Sequence, residues 1–154
     1  MTERKHDSFK LIGIALDHKT TNENNQSSTD CGNLWQRFEK DKIFELIPNK
    51  VSNEVYAVYF DYEKDETKPF SYFIGCKVDE NAETPNSLQF LEIPSQHYVK
   101  VTAIGVMTGC ITEAWKKIWH SQIKRKFGFD FEVYDERSQN WNDAELDIYV
   151  SISK

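Results

Sequence analysis

The chain is short of cysteine and glycine, and it has no long apolar run. Its 154 residues include three cysteines, six glycines and four prolines. Cys31, Cys76 and Cys110 are odd in number and widely spaced, with no C-x-x-C. That pattern argues against a disulfide framework, and free thiols in a reducing cytoplasm are expected. No signal peptide is recognisable. No stretch approaches the roughly 18 consecutive apolar residues of a membrane span. There is no G-x-G-x-x-G and no other glycine-rich phosphate loop. His6, His18, His97 and His120 are scattered, with no H-E-x-x-H and no Cys/His pair at zinc spacing. A G-x-S-x-G is also missing. A Cys–His nucleophile would need Cys31 or Cys110 and a distant histidine, and nothing local supports it. No metal and no cofactor are expected.

Aromatic residues and carboxylates are what the chain does have. Aromatics make up 14% of it, mostly phenylalanine (10) and tyrosine (7). That is enough to build a core and still line a cavity. The formal net charge is −6. An acidic surface disfavours nucleic-acid binding as the main function, and suits a cationic small molecule or a basic partner as well as plain solubility. The short basic run Lys124-Arg125-Lys126 is expected at a helix C-terminus, where cations complement the dipole.

The length fits one domain. Residues 1–8 are polar and expected to be disordered, so the domain is placed at 9–152. Period-two or apolar runs predict strands at 9–16, 54–62, 70–78, 88–93, 98–104, 129–135 and 146–152. Helical spacing predicts helices at 32–47, stopped by Pro48, and at 112–127. Polar stretches at 20–30, 79–86 and 137–143 read as loops. The order is β-α-β-β followed by β-α-β-β, with pseudo-repeats at about 9–79 and 88–152. Each half has an early helical tryptophan and then a Glu-Val-Tyr strand: Trp35 with Glu54-Val55-Tyr56, and Trp115 with Glu132-Val133-Tyr134. The predicted class is α+β, with antiparallel sheets, two helices on one face and a ligand groove between the halves. The groove is expected on the face opposite the helices. Gly13, Gly75 and Gly105 are expected where strands bend or approach closely.

The strand at 129–135 carries the candidate chemistry. Glu132 stands among Phe131, Val133 and Tyr134. A carboxylate among aromatics is costly to desolvate. An edge strand with Glu132 in water is the simplest account. The functional accounts are a charge partner for a cationic ligand held by ring faces, or a carboxylate with a raised pKa acting as acid or base. Alternation puts Phe129, Phe131 and Val133 on one face, assigned to the core with Leu146, Ile148, Val150 and Ile152. The groove then gathers Glu132, Tyr134 and Tyr149. The first half adds Tyr56 or Tyr59, Phe60, and Tyr72 or Phe73, register being open. Trp115 and Trp119 are four apart and read as core, with Trp119 also a candidate ligand contact. Trp141 either caps the groove or covers a core edge.

These segments resemble the GyrI-like small-molecule-binding domain, the effector-binding half of AraC- and MerR-type transcription regulators. The resemblance rests on Leu34-Trp35-Gln36-Arg37-Phe38, the hairpin from 55–59 to 72–75, Glu113-Ala114-Trp115, and the pair 131–135 with 146–150. It spans residues 9 to 152. It implies a duplicated β-α-β-β fold whose groove takes lipophilic, often cationic aromatic compounds, with Glu132 as the central polar group. It also implies a drug-sensing or sequestering protein in its stand-alone cytoplasmic form, with no helix-turn-helix before residue 9. Some stand-alone members hydrolyse cyclopropane-containing alkylating natural products. In that alternative Glu132 is the general base and Tyr149, or Tyr134, polarises the carbonyl. Relatives often carry a tryptophan late in the second helix, where this chain has Gln122-Ile123-Lys124. That departure favours binding over hydrolysis. A third option is an interaction protein whose groove takes a peptide or subunit.

Overall fold

A computed structural model describes all 154 residues. In chain order the strands and helices are β1 (Thr2–His6), β2 (Phe9–Ala15), α1 (Gln26–Lys40), α2 (Ile43–Leu46), β3 (Val55–Phe60), β4 (Ser71–Val78), β5 (Gln89–Ile93), β6 (Gln96–Gly105), α3 (Gly109–Trp119), β7 (Asp130–Tyr134) and β8 (Ala144–Ile152). All eight strands form one antiparallel sheet in the order β1-β6-β8-β7-β3-β4-β2-β5. The class is α+β, as the β-α-β-β duplication implies. One half contributes β6-β8-β7 and the other β3-β4-β2, so the halves face each other about the β3–β7 seam. The seam register pairs Ala57 with Glu132 and Tyr59 with Asp130.

Both main helices lie on one face of the sheet. Leu34 and Phe38 of α1 pack on Ile12, Ile14, Ala57, Tyr72 and Ile74. Ala114, Trp115 and Ile118 of α3 pack on Leu146, Ile148 and Val150. The other face carries its own aromatic cluster, which includes Phe9, Tyr56, Phe73, Tyr98 and Phe131. Phe9 of β2 lies 5.7 Å from Phe131 of β7 although β3 and β4 separate their strands. The sheet therefore curls around this cluster, in line with the normal twist of antiparallel sheets.

Several expected boundaries are corrected. The first eight residues hold β1, paired with β6 from Thr2↔Lys100 to His6↔Gln96. Its polar outer positions suit an edge strand. His6 anchors it, edge-on to Tyr149 at 4.9 Å and to Tyr98 at 5.5 Å. β5 was expected to open the second repeat, but it pairs with β2 at the edge of the first half. α1 starts at Gln26, inside the expected loop, because its polar side chains satisfy one another: Asp30 accepts from Thr20 at 2.7 Å and from Gln26 at 3.0 Å. α3 stops at Trp119, well before residue 127. Beyond it, Lys126 N–H donates to Ser151 and Ser153 N–H to Lys124. Pairing with the end of β8 replaces the last two helical turns.

Candidate functional site

Glu132 sits at the middle of the β3–β7 seam and is 1% exposed. Three neutral donors hold it. Tyr59 Oη donates to Oε2 at 2.8 Å and Trp115 Nε1 to the same oxygen at 2.7 Å. Tyr134 Oη donates to Oε1 at 2.6 Å. Tyr59 and Tyr134 reach Glu132 because odd positions of β3 and even positions of β7 share a face. Trp115 reaches it from the middle of α3. Burial raises the Glu132 pKa, and the three hydrogen bonds offset that rise only in part. Burial, and then the Glu132 charge, hold Tyr59, Tyr72 and Tyr134 well above the usual phenol range, so they remain donors.

Glu132 faces a cavity of about 390 Å³ between α1, α3 and the sheet. The size is in the range of small-molecule sites. Rings form its inner wall. Trp35 meets Tyr134 edge-on at 4.9 Å and donates from Nε1 to Tyr72 Oη at 2.8 Å. Tyr59 lies 4.9 Å from Tyr72 and 5.1 Å from Trp115. The rim is polar, with Asn22, Asn25 and Ser28 on one side and Thr112 and Lys116 on the other. Trp119, 37% exposed, also lines this opening. Cys31 borders the cavity with its thiol pKa raised by burial and by Glu132, so it is a weak nucleophile.

A buried ion pair is anchored on the same strand. Asp130 is fully buried. Its Oδ1 accepts from Ser151 N–H at 2.7 Å and from Ser151 Oγ at 2.8 Å. Its Oδ2 accepts from Tyr62 at 2.7 Å and from Arg125 Nη2 at 2.9 Å. The Arg125 charge is thus matched by Asp130, and no cation pairs with Glu132.

Of the residues expected at the groove, the structure brings together Glu132, Tyr134, Tyr59, Tyr72 and Trp119. The others lie elsewhere. β7–β8 register pairs Phe131 with Tyr149 and Glu132 with Ile148. Tyr149 therefore projects from the opposite face, stacked on Phe131 at 4.9 Å. Tyr56 and Tyr149 line a smaller cavity of about 210 Å³ there. Phe73 is in the aromatic cluster of that face, with Phe60 packed against it and stacked on Phe129 at 5.6 Å. Trp141 is 59% exposed in its loop and lines neither cavity. The expected groove on the face away from the helices is thus replaced by one on the helix face. Glu132 as base and Tyr149 as its polarising partner are on opposite sides of the sheet and do not form a pair. Even positions of β3 also face away, so Glu54 and Tyr56 of the Glu-Val-Tyr echo lie opposite to Glu132 and Tyr134.

Four contributors were missed: Trp35, Trp115 as a donor, Tyr62 and Arg125. The repeated early tryptophan was the available signal for the first two. Nothing local marks Arg125 as buried, since Lys124 and Lys126 flank it and both are exposed.

A family profile described as Cass2, integron-associated effector binding protein, matches residues 4–152. The chain belongs to the Cass2 family. Cass2-type proteins are effector-binding proteins, and small-molecule binding is the family property. The chain is 26% identical over 125 residues to YobU of Bacillus subtilis (strain 168), which carries the name of a transcriptional regulator protein. That alignment covers 79% of this chain and 78% of YobU. The integron cassette protein VCH_CASS2 from the mobile metagenome of Vibrio cholerae superimposes with a TM-score of 0.67 at 26% identity, over 97% of this chain and 94% of that one. SAV2435, solved bound to tetraphenylphosphonium, shares the fold with a TM-score of 0.79 at 17% identity, over 99% and 93% of the two chains. The EcmrR C-terminal domain shares it as well, with a TM-score of 0.67 at 12% identity over 99% and 96%. The GyrI-like effector-binding fold is thereby established. No helix is long and apolar enough to cross a membrane.

Proposed function

We propose that this protein binds a lipophilic aromatic cation in the cavity between α1 and α3, with Glu132 as the counter-charge. One observation carries the reading. Glu132 is a fully buried carboxylate whose three partners are all neutral. An ionised group in that setting pays a desolvation cost that neutral donors repay only in part. A cation in the cavity supplies the missing charge, and the Trp and Tyr faces add cation–π attraction of about 0.5–2 kcal/mol per ring when water is excluded. Tetraphenylphosphonium in SAV2435 is a ligand of this chemistry in the same fold. The proposed contacts are Glu132, Tyr59, Tyr72, Tyr134, Trp35 and Trp115, with Trp119 at the opening. Tyr56, Tyr149, Phe60, Phe73 and Trp141 have no part in them. The role is drug sensing or sequestration.

The test is a titration of wild type and Glu132→Gln with tetraphenylphosphonium and with neutral triphenylphosphine oxide. The Gln variant is expected to lose tenfold or more in affinity for the cation, about 1.4 kcal/mol. It should change little toward the neutral compound. Equal cation affinity in both proteins would sink the reading.

A further inference from the structure

We propose that the cavity on the sheet face away from the helices is a second binding site, for a small zwitterion with an aromatic or apolar side chain, such as a free amino acid. It shares no lining residue with the cavity at Glu132, and the sheet separates the two. Its volume of about 210 Å³ lies below the usual range of drug-sized sites, so the guest is small. The floor is aromatic. Phe131 stacks on Tyr149 at 4.9 Å and meets Tyr56 at 5.6 Å and Phe9 at 5.7 Å. His6 closes one side, edge-on to Tyr149.

Besides His6, five charged residues line the walls: Glu54, Lys77, Asp135, Arg137 and Asp147. Three of them answer one another. Arg137 Nη2 donates to Asp135 Oδ2 and to Asp147 Oδ2, both at 2.9 Å, and Nε donates to Asp135 Oδ1 at 3.1 Å. Its Nη1 donates to Glu145, and the other Asp147 oxygen accepts from Thr102 at 2.9 Å. Lys77 and Glu54 are left over. Neither forms an ion pair with any residue, nor with the other. Lys77 Nζ lies 5.1 Å from the Phe9 ring centroid. Glu54 accepts two long hydrogen bonds, from Ser52 at 3.3 Å and Tyr56 at 3.4 Å, both on Oε1, so Oε2 is free. Both residues are part-exposed, and an occupant can reach them. His6 adds no third charge at neutral pH, because burial and then Lys77 hold its pKa below the usual range. One free cation and one free anion beside one aromatic floor match a guest that carries both charges. Its carboxylate meets Lys77, its ammonium meets Glu54, and its side chain lies on the rings. A guest with one charge leaves the other wall residue unanswered.

The test is calorimetric titration with L-phenylalanine, phenethylamine and 3-phenylpropionate, which share a phenyl ring and carry both charges, the ammonium alone and the carboxylate alone. Wild type is expected to bind phenylalanine about tenfold tighter than either, the scale of one hydrogen bond to a charged group. Lys77→Gln should bring phenylalanine down toward phenethylamine and leave phenethylamine unchanged. Glu54→Gln should bring it down toward 3-phenylpropionate and leave that compound unchanged. Thermal unfolding confirms that both variants are folded. Absence of phenylalanine binding, equal affinity for the three compounds, or a preference that survives unchanged in both variants would overturn the proposal. Glu132→Gln and saturating tetraphenylphosphonium are expected to leave phenylalanine affinity as it is. A loss in either would place phenylalanine in the Glu132 cavity and also overturn it. The cation reading is tested separately by tetraphenylphosphonium and Glu132→Gln, so either proposal can fail without the other.

Discussion

Glu132 sets a trade between stability and recognition. Its folded-state pKa lies above its unfolded value, with burial as the main cause. The proton is therefore held more tightly in the folded protein. The stability this contributes is full below the ordinary carboxylate range and is lost as pH rises through the raised value. Glu132→Gln removes the titration. The variant is expected to melt higher than wild type at pH 8, with the gap narrowing toward pH 5. Paired thermal melts at the two pH values check this, and a gap that widens in acid would contradict it. Glu132 was readable from its strand because alternation alone separates it from Phe131 and Val133. Tyr134, two residues on, was readable with it, but the choice of Tyr59 over Tyr56 and the part of Trp115 were not, since Tyr59 and Trp115 lie 73 and 17 residues away. Arg125 was hidden for a different reason. A basic run normally stays in water, and only the pairing of residues 124–126 with the end of β8 turns its middle member inward.

At the scale of elements, β2 and β4 approach so closely that two facing positions admit no side chain. Gly13 pairs with Gly75. A Cβ on Gly13 would lie 1.9 Å from the Ile74 carbonyl oxygen and 2.5 Å from the Gly75 Cα. Both are backbone atoms and cannot swing away. Gly13→Ala is expected to cost about 3 kcal/mol, the upper part of the overpacking range. For a domain of this size that lowers the melting midpoint by roughly 6–12 °C. A midpoint within 2 °C of wild type would show that the strands can separate. The strands and the hairpin were legible because period-two alternation is local. The face that α1 and α3 cover was not. Both faces of this sheet are apolar, and the β7–β8 register that pairs Glu132 with Ile148 is a long-range fact. A slip of one residue moves every side chain to the other face. Assigning Phe131 and Val133 to the helix side was that slip for β7, whereas Tyr149 of β8 was placed on the face it occupies, away from the helices.

For the whole molecule, occupation of the cavity is linked to folding and to pH together. A ligand that binds only the folded state adds about 2.7 kcal/mol at one hundred times its dissociation constant. Tetraphenylphosphonium at that level is expected to raise the midpoint by roughly 5–10 °C. A permanent cation favours the ionised carboxylate, so the shift is expected to be larger at pH 8 than at pH 5. Thermal shift at fixed ligand and two pH values measures it, and a shift independent of pH would detach the cation from Glu132.

The β3–β7 seam gives the duplicated fold a handed cavity. Opposite Glu132 the equivalent strand offers Ala57. The frame is nearly symmetric, yet it carries one carboxylate at its centre. A guest with a single charged pole thus has one way to sit, and a guest with identical poles at both ends leaves one of them facing a methyl group. In the proposed reading the two halves form the walls, and the difference at this one cross-strand pair lets the site tell the two ends of a molecule apart.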